Sequence, residues 1–144
     1  MAQPSIRQLV EGLYPALLAG DRPAIERLVA EDFTGTLTDG LPLEIGGVHQ
    51  GRERMIEDGW WAFGRNFSLR VEPSDWIDCD GGRLLVLGRY VGRARSTGAP
   101  VDAAFAHLWT ARDGRLCAVW QLTDSARFVT ALQCAGAGAP GQNP

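Results

Sequence analysis

The runs Asp102–Thr110 and Leu116–Asp124 are separated only by Ala111-Arg112-Asp113-Gly114-Arg115. No other feature restricts the fold as much. Both runs are rich in apolar and aromatic residues, and Asp-Gly favours a tight hairpin because glycine takes the positive φ such turns need. Two long antiparallel neighbours are therefore predicted near the end of the chain. Side chains alternate across a strand with period two. Phe105, His107 and Trp109 share one face of the first strand, and Cys117, Val119 and Gln121 share one face of the second. Each face carries one polar group in an apolar row. If both faces line one cavity, His107 and Gln121 are its polar groups.

The rest of the chain supplies what such a hairpin packs against. Ser5 and Gln8 resemble a capping box, and Ile6, Leu9, Val10, Leu13 and Leu17 recur at helical spacing. Pro15 falls late in that pattern and is expected to kink or shorten the helix. Gly20 ends it. Asp21 and Pro23 open a second helix that should run to about Ala30. Phe33–Thr38 reads as a short strand, Asp39-Gly40 as a turn and Ile45–Gly51 as a loop. A third helix starts near Gly51 and carries Trp60, Trp61 and Phe63. Beyond Phe67 the pattern is strand-like. Ser68–Val71 and Trp76–Cys79 form one strand bulged near Pro73, and Leu84–Arg95 forms another long one. Asp124 caps a last short helix. Helices first and an antiparallel meander afterwards argue for an α+β fold, with the helices on one face of a curved sheet. Residues 1–134 are expected to form a single domain. Residues 135–144, all Gly, Ala, Pro, Gln and Asn, are expected to be a disordered tail.

Composition narrows the chemistry. All 14 basic side chains are arginine, which excludes a lysine Schiff base and a P-loop lysine. The net charge of -3 excludes an electrostatic pull toward nucleic acid or an anionic membrane. Two histidines, with three cysteines at no ligand spacing, offer no zinc set. No cofactor is expected. The odd cysteine count and the absence of a signal-like N-terminus fit reduced thiols in the cytoplasm.

Several segments together resemble the SnoaL-like branch of the nuclear transport factor 2-like superfamily, which also holds ketosteroid isomerase, polyketide cyclases and limonene epoxide hydrolase. They are Gly46-Gly47-Val48-His49-Gln50-Gly51-Arg52-Glu53, Arg70-Val71-Glu72-Pro73, Val86-Leu87-Gly88-Arg89-Tyr90, Ala104–Trp109, Arg112–Arg115 and Gln121–Phe128. The resemblance covers about residues 5–132. It implies a cone-shaped, cystatin-like roll: three helices on a strongly curved antiparallel sheet, enclosing an apolar pocket, in a homodimer packed through the sheet. It also implies where chemistry would lie. His107 falls at the cyclases' histidine, but Gln121 stands at their acid–base aspartate. Gly88, Tyr90 and Gln121 stand where the epoxide hydrolases carry an Asp-Arg-Asp trio.

The candidate catalytic residues are therefore His107, Gln121 and Tyr90. A histidine with an ordinary pKa would make activity fall as acid charges it. Around these, Tyr14, Asp39, His49, Trp60, Phe63, Phe105, Trp109 and Val119 are candidates for binding the substrate, with Glu44 a further carboxylate in the same irregular region as Asp39. The expected partner is a small apolar or aromatic ligand, with no nucleic acid and no membrane. Three functions stay open: a cyclase, isomerase or dehydratase acting on a carbonyl compound, a non-catalytic carrier, and a dimerisation module with a filled cone.

Overall fold

A computed structural model describes residues 2–133. The predicted capping box forms at the first helix, α1 (Ile6–Ala19). Ser5 Oγ accepts from the Gln8 amide, and Gln8 Oε1 accepts from the Ser5 amide at 2.8 Å. Two of the orphan donors at the helix start are thereby satisfied. Pro15 lies inside α1 without ending it, and Gly20 closes it in the left-handed region at φ 67°. Helix α2 (Arg22–Leu28) is capped by Asp21, whose side chain accepts from the Ala24 amide. It stops at Leu28 rather than Ala30, because Val29 and Ala30 already belong to the strand β1 (Val29–Leu37).

One strand was not expected. Gly47–Gln50, read as loop, is β2, paired antiparallel with the far half of β1. Only its pairing makes it a strand, since four residues with a leading glycine carry no strand pattern. The third helix is built in pieces: α3 (Arg52–Arg54), a π-helical turn (Met55–Trp60) and α4 (Trp61–Asn66). Then come β3 (Phe67–Cys79), β4 (Arg83–Ala94), β5 (Pro100–Arg112), β6 (Arg115–Thr123) and α5 (Ser125–Gln133). Counting the pieced helix once, the described residues hold the four helices read along the chain, one more than the resemblance implies. The expected tail lies outside them.

The six strands form one curved, unclosed sheet in the order β2-β1-β6-β5-β4-β3. It is not wholly antiparallel, because β1 runs parallel to β6. Irregularities at Pro73/Asp75 between β3 and β4, and at Thr110/Ala111 between β5 and β6, bend the long strands. The second one corrects the predicted face of β6. Ala111 pairs with Leu116 and Thr110 with Ala118, so Cys117 bulges out of the row. Leu116 is buried in its place beside Val119 and Gln121. Helices α1 and α4 and the concave side of the sheet close into a cone over a core of Leu13, Ile25, Phe33, Ile56, Phe67 and Phe128.

Candidate functional site

The cone is not filled. A cavity of about 410 Å³ opens between the concave sheet, α1 and α4. Leu37, Leu69, Val71 and Val119 line it from the sheet, and Leu17, Trp60 and Phe63 from the helices. The cavity excludes the dimerisation module with a filled cone.

At its floor the polar groups converge. His107 on β5 stands directly opposite Gln121 on β6, as the hairpin pairing requires. Its ring lies flat on Phe105, with centroids 4.0 Å apart and planes 16° apart. Space for Phe105 comes from Gly88 on β4, where a Cβ would overlap the Phe105 ring and the Glu72 carbonyl oxygen. The imidazole is held at both ends. Nδ1 lies 2.8 Å from the Tyr14 hydroxyl of α1, and Nε2 lies 2.6 Å from the Tyr90 hydroxyl of β4. Each tyrosine has its own support. Trp109 Nε1 donates to the Tyr14 oxygen at 3.2 Å, and Gln121 Nε2 donates to the Tyr90 oxygen at 2.7 Å. Thr38 sets the orientation of the Gln121 amide. Its backbone N–H donates to Gln121 Oε1 at 3.2 Å, which leaves the NH₂ group facing Tyr90.

None of these groups carries charge near neutrality. Burial pushes His107 down from 6.5 to about 3, because the imidazolium would lose its hydration with no anion beside it. The expectation that His107 titrates near neutral pH is overturned on this ground. Burial also raises both tyrosine hydroxyls well above their ordinary value, against smaller opposing effects of the bonds from Trp109 and Gln121.

A count of hydrogens then follows. Neutral imidazole has one N–H and one bare nitrogen. One tyrosine must donate to the bare nitrogen, and the other must accept from the N–H. Three hydrogens thus serve two bonds, and one hydroxyl hydrogen is left over. The imidazole tautomer decides which tyrosine holds it, and both tyrosines line the cavity.

Of the residues named from sequence, His107, Gln121, Tyr90, Tyr14, Trp60, Phe63, Trp109 and Val119 line the cavity. Three do not. Asp39 is exposed in its turn, as is Glu44. His49 is buried away from the cavity, with Nε2 2.7 Å from the Ile45 carbonyl, so it braces the loop before β2. Phe105 lies beneath His107 rather than facing the space. Thr38 and Arg95 were not named as site residues. Thr38 reaches Gln121 only through the parallel β1–β6 pairing, which leaves no local sequence signal. Arg95, in the turn just after β4, reads in sequence as one more surface arginine. Among the described residues no group of three His, Cys, Asp or Glu side chains is placed to hold a metal. None of the described helices is long and apolar enough to cross a membrane.

The sequence profile described as SnoaL-like domain matches residues 10–119. No curated protein matches the chain. Among solved structures, the chain is similar to an NTF2-like protein of unknown function from Burkholderia pseudomallei. The two are 26% identical with a TM-score of 0.77, over 87% of this chain and 95% of that one. It is also similar in fold to TerC, co-crystallised with polyporic acid, at 21% identity and TM-score 0.76, over 88% and 97% of the two chains. IdmH of Streptomyces antibioticus, a candidate polyketide cyclase, is likewise 21% identical, with TM-score 0.72 over 88% and 97%.

Proposed function

The chain belongs to the SnoaL-like domain family, and from that premise we propose that it is an enzyme that moves a proton within a carbonyl-bearing, largely apolar small molecule. The reaction class is isomerisation or cyclisation through an enol. The observation that carries this reading is His107 held between two tyrosine hydroxyls with one hydrogen to spare.

The step needs no ionised residue. With the imidazole hydrogen on Nε2, Tyr14 donates to Nδ1 and Tyr90 turns its spare hydrogen toward the substrate carbonyl. A proton leaves the carbon next to that carbonyl for Tyr14 Oη as the Tyr14 hydrogen passes to Nδ1. The Nε2 hydrogen passes to Tyr90 Oη, and the Tyr90 hydrogen passes to the carbonyl oxygen. The C–H electron pair becomes the C=C bond, and the C=O π pair becomes the new O–H bond. Each tyrosine loses one hydrogen and gains one, and His107 changes tautomer. The spare hydrogen now sits on Tyr14, ready to return at another position. Gln121 strengthens Tyr90 as a donor by bonding its oxygen. The apolar walls hold the substrate and exclude water.

A direct test is loss of the C1 hydrogens of 2-tetralone in D₂O, followed by proton NMR. Wild type should accelerate the exchange over buffer, with a flat profile from about pH 5 to 8 because every relay group stays neutral there. His107→Gln should lose most of the acceleration. Bound 2-tetralone exchanging no faster than in buffer would overturn the relay. It would favour the carrier reading, which has its own support: no carboxylate lines the cavity among the described residues.

The family resemblance further points to a homodimer through the convex side of the sheet. Trp120 and Leu122 are 47% and 50% exposed there, next to each other on alternate positions of β6. Such an apolar face is costly to leave in water.

A further inference from the structure

Resting on the reading of the cavity as a site for carbonyl compounds, we infer that its ligand is an apolar anion, with a carbonyl at the buried floor and an acidic oxygen at the rim beside Arg95. Arg95 is the one charged side chain lining the cavity among the described residues. It sits at the exposed edge, whereas His107, Gln121 and Tyr90 are buried at the other end. Its stem is anchored, not loose. The backbone N–H donates to the Asn66 carbonyl, and Nε donates to the Gly64 carbonyl at 2.8 Å. Those bonds tie the turn after β4 to α4 and restrain the side chain at the exposed edge of the cavity. Its two terminal nitrogens have no hydrogen bond and no ion pair among the described residues. They form the fork that takes a carboxylate or an ionised enol in two parallel bonds.

The rest of the lining agrees in sign. The floor offers one spare hydroxyl hydrogen and no spare acceptor of comparable strength, since Gln121 Oε1 is already taken by Thr38. Donors at both ends, apolar walls between them and no carboxylate in the lining select a ligand that brings acceptors and negative charge. A cationic or donor-rich ligand would meet unpaired donors at both ends.

The test uses a matched pair of planar dicarbonyl probes, anthraquinone-2-carboxylate and the neutral anthraquinone-2-carboxamide. Binding is read from quenching of tryptophan fluorescence, since Trp60 and Trp109 line the cavity. Wild type should bind the carboxylate about fivefold more tightly than the amide at low salt, with the gap closing as salt rises. Arg95→Gln should bring the carboxylate to the affinity of the amide and leave the amide unchanged. Equal affinities in wild type, or a preference that survives in Arg95→Gln, would overturn the rim subsite while leaving the cavity reading intact. Failure of both probes to bind would overturn the cavity reading, and this inference with it.

Discussion

His107 is a case where a residue's surroundings decide its chemistry. Its identity alone predicts a group that titrates near neutral pH. Packed under aromatic rings and bonded only to neutral hydroxyls, it stays uncharged until about pH 3. That has a consequence for stability. Below 6.5 the unfolded chain takes up a proton on this histidine and the folded chain does not, so folding is weakened as pH falls from there toward 3. The loss is about 1.4 kcal/mol for each pH unit. Urea unfolding of wild type and His107→Gln at pH 7 and 4.5 measures it. Wild type should lose about 2 to 3 kcal/mol more than the variant over that interval. Parallel losses would mean that the folded protein protonates His107 readily, and the neutral relay would fall with it.

Between elements, the site depends on how closely two strands approach. Gly88 pairs with Phe105 on β5 and Pro73 on β3. A methyl group there would meet the Glu72 carbonyl and the Phe105 ring. Because backbone cannot yield as a flexible side chain does, Gly88→Ala should cost about 1 to 3 kcal/mol. It should also lift Phe105 and tilt His107 off its two tyrosines. Denaturant unfolding, with the NMR signals of the His107 ring as a local readout, would show both effects. Unchanged stability would mean that β3 and β4 shift apart at no cost. The third helix adds a second device of this kind. Its π-helical turn ends at Trp60, and Trp60 and Phe63 both reach the cavity wall. π-Turns are commonly found inside helices at functional sites.

For the molecule as a whole, the sheet works on both of its sides. The concave side makes the cavity wall, and the convex side leaves Trp120 and Leu122 in water. If a second copy covers that face, Trp120→Glu should turn a dimer into a monomer by light scattering on a sizing column. The cavity should survive, because Trp120 points away from it while its neighbours Val119 and Gln121 point in. A monomeric wild type would remove the dimer.

Local pattern was enough to determine the helices, the long hairpin and most of one cavity wall. Capping, turn chemistry and period-two alternation act over a few residues, so Ser5, Asp21, Asp113-Gly114 and the row Phe105, His107, Trp109 could be read directly. The same reasoning failed at Cys117, because one extra residue in a strand reverses which side chain faces inward and bulges leave little local signal. It also failed at β2, at Thr38 and at Arg95. Each of these takes its role from a partner distant in the chain: β1 for β2, Gln121 for Thr38, Gly64 for Arg95. Most of all, only the tertiary structure decided that Tyr14 and Tyr90 close on the two nitrogens of His107. Those contacts join residues 93 and 17 positions apart, and no local rule relates them.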